Sequence, residues 1–154
     1  MNRKFAIVYF GLLRSLGKVY KSHYKNLFEV LKRNDVNYDV FIHSWKTNDD
    51  IQQVWGNIIK EKQDYSLNEL LNPYKFQLDN QNEFDENIDF CDFFYKEIYN
   101  SMGNHKDGEW EPYLIKNHIR SLESLKRGFK LVVDSNNKYD YVLFLRPDIL
   151  ITSR

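Results

Sequence analysis

An α/β fold around a mainly parallel sheet is predicted by three observations. Two runs, Lys4–Phe10 (KFAIVYF) and Tyr141–Leu145 (YVLFL), are almost continuously apolar and rich in β-branched and aromatic residues. A strand, helix and strand follow one another within residues 4–43, and a long amphipathic stretch after Pro112 leads into the second run. Strands apolar on both faces belong between two helical layers, and strand–helix–strand is the right-handed βαβ unit of a parallel sheet.

Taken in order, Lys4–Phe10 is the first strand, stopped by Gly11, and Leu12–Lys21 reads as a basic turn. From Ser22 the period changes: Tyr24, Leu27, Phe28 and Leu31 form one stripe on a helix ending near Asn34. Asp39–His43 (DVFIH) is the second strand. Ile51–Ile59 reads as a helix with Val54, Trp55, Ile58 and Ile59 on one side, Leu67–Leu71 as a short helix before Pro73, and Tyr74–Leu78 as a third strand. Residues 79–111 read as an irregular acidic insertion, since the stretch from Asp79 has no clean period. Pro112 opens the longest helix, where its missing N–H costs nothing. Ile115, Ile119, Leu122, Leu125, Phe129 and Val132 give that helix its stripe as far as about Asp134, and Tyr141–Leu145 then ends at Arg146, Pro147 and Asp148.

Composition bounds the function. The chain has 154 residues, 22 basic and 22 acidic side chains and a hydrophobic fraction of 42%, enough for a single folded domain. Balanced charge argues against a dedicated nucleic-acid binder, and no apolar run reaches the ~20 residues of a membrane span. The zero is uneven, however. Residues 1–33 hold eight basic side chains against Glu29 alone, and residues 79–99 hold seven acidic ones against Lys96. Such runs are either two solvated faces or a local positive field near the first strand. One cysteine, Cys91, makes no internal disulfide, which suits a reducing compartment. A single alanine among abundant asparagine, lysine, tyrosine and isoleucine fits an AT-rich coding sequence, as in a low-GC microbe or a large DNA virus. The expected location is the cytoplasm.

Ligands of open parallel sheets bind outside the carboxyl ends of the strands. The residues just past the best strands are therefore the candidates: Gly11, Arg14 and Ser15, then His43, Ser44 and Trp45, then Arg146 and Asp148. Gly11 allows a sharp turn close to a ligand, and Arg14 offers a planar fork of donors to a phosphate or diphosphate. Alternatively they are an ordinary loop glycine and a surface arginine. His43 is either a hydrogen-bonded structural histidine or a ligand contact, and Trp45 either stacks on a base or sugar or lids the core. Asp148 either holds a divalent cation or closes a turn with Arg146 around Pro147. No phosphate-binding P-loop, nucleophile elbow or dinucleotide glycine fingerprint is present, and His23, His43, His105, His118 and Cys91 lack zinc-ligand spacing.

Three segments in this order, IVYFGLLRS, DVFIHSW and KYDYVLFLRPDIL, resemble a glycosyltransferase-like family. In it an apolar strand enters a G-x-x-R loop, a strand ends in H-x-W, and a late strand ends near R-P-D. The family is similar to the nucleotide-diphospho-sugar transferase fold (GT-A-like), a Rossmann-like three-layer α/β sandwich with a mainly parallel sheet. The resemblance implies a nucleotide-sugar donor, a glycan or lipid acceptor, and donor binding by Gly11, Arg14, His43, Trp45, Arg146 and Asp148. It also implies Asp148 as ligand of Mn²⁺ or Mg²⁺, although Arg146 stands where metal-dependent members carry the first aspartate of D-x-D. Residues 1–154 are then one donor-binding domain, with the acceptor half expected beyond Arg154 or lost in a reduced domain. The competing expectations are a catalytically silent nucleotide-sugar or carbohydrate binding module and a structural interaction domain.

Overall fold

The computed structural model describes residues 3–47, 51–54, 57–60, 63–93 and 112–152. Strands β1 (Lys4–Phe10), β2 (Asn37–Lys46), β5 (Lys75–Asn80) and β6 (Tyr141–Leu145) form one wholly parallel sheet in the order β5-β2-β1-β6. A separate antiparallel pair joins β3 (Ile51–Val54) to β4 (Asn57–Lys60). The helix expected over Ile51–Ile59 is thus two strands. Trp55 lies outside the described residues. β-branched residues on both sides of Gly56 favour the hairpin, because they pack well on a pleated surface and lose rotamer freedom in a helix.

Side chains alternate across the sheet. Ile7, Tyr9, Val40 and Ile42 point to one face with Leu13, Leu16, Phe28 and Leu31, while Ala6, Val8 and Phe41 pack with Val132 on the other. The register, Ile7 beside Val40 and Val8 beside Phe41, keeps each face uniform. The first face is covered by α1 (Leu16–His23), a π-helical turn (Tyr24–Phe28) and α2 (Glu29–Arg33), which run on without a break. The expected basic turn over Leu12–Lys21 is therefore helical from Leu16. His23 and Phe28 are both buried although five residues apart; the i→i+5 bonding of a π turn brings them to the same side and leaves Tyr24 exposed. The helix ends in a Schellman cap: Asp35 is left-handed (φ 53°), and Val36 N–H donates to Leu31 O at 3.0 Å.

The opposite face is covered by α4 (Pro112–Val133). Gly128 lets it approach closely, since a Cβ there would lie 2.8 Å from Val8 Cγ1. Ile119, Ser124 and Val132 are buried, whereas Leu122 and Phe129 of the expected stripe are exposed. The acidic stretch is ordered as far as it is described: β5 runs to Asn80, α3 covers Gln81–Glu86, and a 3₁₀ turn covers Phe90–Phe93. Asp85 and Asp79 pair with Arg120 and Arg127 of α4, so part of the acidic stretch is neutralised by that helix and not by the basic residues 1–33. No helix among the described residues is long and apolar enough to cross a membrane.

Candidate functional site

The strand order places a topological switch point. From β1 the chain steps outward to β2 and β5, then returns through α4 to β6 on the other side of β1. The helix after β1 (α1) and the helix before β6 (α4) lie on opposite faces of the sheet, and in open parallel sheets ligands bind at the carboxyl ends of the strands where the order reverses. Four of the expected residues lie on the loops at that point, Gly11 and Arg14 after β1 and Arg146 and Asp148 after β6.

Gly11 has φ +96°, a conformation side chains rarely adopt, and open space where its Cβ would be. Arg14 Nη2 donates to Asp148 Oδ2 at 3.2 Å. Arg146 grips the same carboxylate with both prongs, Nε to Oδ1 at 3.0 Å and Nη2 to Oδ2 at 2.7 Å. Burial would raise the Asp148 pKa, but the hydrogen bonds and charge of Arg146 and then Arg14 outweigh it and hold the carboxyl below its ordinary value. Arg146 is 54% exposed, against 23% for Arg14. Its loop is anchored to the helix opposite: His23 Nε2 donates to Ile149 O at 2.7 Å, Ser22 Oγ accepts from Ile151 N at 3.1 Å, and Asn26 donates to Ile151 O. Because a carbonyl can only accept, the His23 Nε2 carries hydrogen, and Nδ1 receives the Tyr9 hydroxyl at 2.8 Å.

These residues do not fit a divalent cation. Both Asp148 oxygens accept from guanidinium groups, and a metal ion would sit beside two fixed positive charges. Among the described residues, no group of three or more His, Cys, Asp or Glu side chains is placed to hold a metal.

His43 and Trp45 lie in the interior, 0% and 1% exposed, on the α4 side of the sheet. The strand runs past both to Lys46, which carries them into the packed layer instead of onto a loop. Trp45 Nε1 donates to Arg120 O at 3.0 Å, its ring stacks on Phe84 at 5.1 Å, and Arg127 lies over it at 4.9 Å. It lids the core. His43 Nε2 donates to Asp79 Oδ2 at 3.1 Å, and its Nδ1 meets Ser124 Oγ at 2.7 Å. Ser124 in turn accepts from Gly11 N–H at 2.8 Å.

Serine, histidine and aspartate in series are the parts of a nucleophilic triad, but Ser124 is fully buried and its oxygen already serves Gly11. The chain is structural: it ties the Gly11 loop through α4 to Asp79, which Arg127 and Gln77 also hold. Burial lowers the His43 pKa more than Asp79 raises it, so the ring stays neutral. Burial raises the Asp79 pKa, and hydrogen bonds from Arg127, His43 and Gln77 overcome this to set it below its ordinary value.

Sequence reading missed Ser124, Asp79, Arg127 and His23. A serine between Leu122 and Leu125, on the helix expected to pack against the sheet, is the signal for the first. An open groove of about 350 Å³ lies at the far, amino-terminal end of β2, between Lys32, Asp35, Val36, Asn37 and Tyr38. It is remote from the switch point. Compared with known protein families, curated proteins and solved structures, the chain matches none.

Proposed function

We propose that this chain is the donor-binding domain of a glycosyltransferase-like protein. In this reading Arg14 and Arg146 receive the diphosphate of a nucleotide-activated sugar, whose glycosyl group passes to a hydroxyl of a glycan or lipid acceptor. One observation carries it: two arginines, one from the loop after β1 and one from the loop after β6, converge on a single carboxylate at the carboxyl ends of the strands, where such sheets bind ligands. In this reading Asp148 occupies both forks until phosphate oxygens take its place. Gly11 lets the backbone come close, and the Ser124 bond fixes that loop. In transfer, the role of the arginines is to stabilise charge on the departing diphosphate.

A second reading, a binding module without turnover, is favoured by the state of Asp148. A carboxylate gripped by two guanidinium groups and shifted below its ordinary pKa is a weak general base for an acceptor hydroxyl.

A thermal-shift screen of the chain against UDP- and GDP-sugars, with CMP-sugars, which carry one phosphate, as the comparison, tests the site. A donor that raises the melting point supports it, and Arg14→Ala and Arg146→Ala should then each weaken binding by about 1–3 kcal/mol. No stabilisation by any donor, or unchanged affinity in both variants, overturns it. Hydrolysis of the bound donor separates a transferase from a silent binder.

A further inference from the structure

We propose that His23 is a positioning residue for the switch-point cluster: its two ring nitrogens set where the loop after β6 lies, and so bring Asp148 and Arg146 to Arg14. This rests on the ligand reading above for its purpose and on hydrogen bonds for its geometry. His23 is 0% exposed, and a polar ring that deep is held by what its nitrogens bond. Nδ1 accepts from the Tyr9 hydroxyl at 2.8 Å, and Nε2 donates to Ile149 O at 2.7 Å. Burial pushes the Tyr9 pKa up, so the phenol keeps its hydrogen and fixes the imidazole as the Nε2–H tautomer that a carbonyl needs. The relay runs from inside β1 to the residue after Asp148.

The neighbours of His23 on the helix serve the same loop. Ser22 Oγ gives its hydrogen to Val19 O at 2.7 Å, which leaves a lone pair for Ile151 N–H. Asn26, inside the π turn, donates to Ile151 O, so two side chains satisfy both backbone groups of Ile151 as a neighbouring strand would. π turns are uncommon and concentrate at functional sites, and this one follows His23 directly. The link from Ile149 back to the cluster is stiff, because Pro147 is fully buried and its ring fixes φ. The loop after β1 is tied to the same helix from its start, with Leu16 N–H donating to Leu13 O at 2.9 Å and Lys18 N–H to Ser15 O at 3.0 Å. α1 is thus the common frame on which Arg14 and Asp148, 134 residues apart, meet at 3.2 Å.

Carbon-13 titration of the Asp148 carboxyl and calorimetric binding of inorganic pyrophosphate, both on the full chain, test this. In His23→Leu the loop loses its register, so the Asp148 pKa should rise toward its ordinary value as Arg14 moves away. Pyrophosphate should bind on the order of tenfold more weakly, the loss of about one charge-assisted bond. His23→Gln keeps a donor for Ile149 O and an acceptor for Tyr9, and should restore both readings. Asn26→Ala, at a half-buried position, should move both in the same direction by less, and it keeps the test open if circular dichroism shows His23→Leu unfolded. An Asp148 titration left at its wild-type midpoint by both of these variants overturns the proposal, and so does a glutamine variant as impaired as the leucine one. If pyrophosphate binds no form of the chain, the ligand reading fails, and the Asp148 titration alone decides the positioning.

Discussion

Ser124→Ala tests the tie between the Gly11 loop and the sheet, and Ser44→Ala is its matched control. Both serines are fully buried, but Ser124 Oγ meets Gly11 N–H at 2.8 Å and His43 Nδ1 at 2.7 Å, whereas Ser44 Oγ has no hydrogen-bond partner. Removing the Ser124 hydroxyl orphans His43 Nδ1 deep in the protein, a cost of about 1–3 kcal/mol. Gly11 lies nearer the surface, where water recovers part of its lost bond, so the total is about 2–4 kcal/mol. With a urea slope of about 2 kcal/mol/M, the unfolding midpoint should fall by about 1–2 M at unchanged slope. Ser44→Ala removes a buried hydroxyl that satisfies nothing, and should leave the midpoint unchanged or raise it. Equal shifts in the two variants, or less than about 0.5 kcal/mol lost at Ser124, refute the assigned network.

Two more outcomes follow from the charges. Asp148→Asn removes a carboxylate that competes with phosphate for both arginines. It should tighten diphosphate binding by about 1 kcal/mol after solvent screening; titration calorimetry showing weaker binding, or a dependence on Mn²⁺ that the variant loses, contradicts the arginine-clamp reading. For pH, the folded-state pKa of His43 is depressed, so its contribution to stability is present above the ordinary value of 6.5 and lost as pH falls through it toward the folded value. Asp79 and Asp148 are also depressed, and their contributions hold above 3.8 and are lost below it. Unfolding free energy should therefore be level near neutrality and decline in two steps on acidification. His43→Gln should abolish the first, and a profile unchanged by that substitution contradicts the assignment.

The strands and long helix that position the site are legible in the sequence because Lys4–Phe10, Asp39–His43 and Tyr141–Leu145 are short apolar, β-branched and aromatic runs, although the expected burial holds for the first two and not for Tyr141–Leu145, most of which is exposed. Their order is not. YVLFL resembles KFAIVYF in chemistry, yet the crossover through α4 puts β6 at an edge while β1 lies inside, and only long-range packing decides that. The start of α1 is obscured because its buried side reads Leu16, Tyr20, His23 and Leu27, with a histidine breaking the apolar pattern and a π turn shifting its phase. Proximity to strand ends places Gly11, Arg14, Arg146 and Asp148 on the loops after β1 and β6, where the structure has them. It misplaces His43 and Trp45, because β2 extends to Lys46 and carries them beneath α4. Ser124 enters through a contact spanning 113 residues, which no local pattern reports.

The switch-point site is tested most directly by amide chemical-shift mapping of the chain during titration with nucleotide-diphosphate sugars. Binding there should move the resonances of Gly11–Leu16 and Arg146–Ile149 together, with one saturation curve. A donor that leaves both loops unmoved, or shifts the Lys32–Tyr38 groove instead, contradicts it.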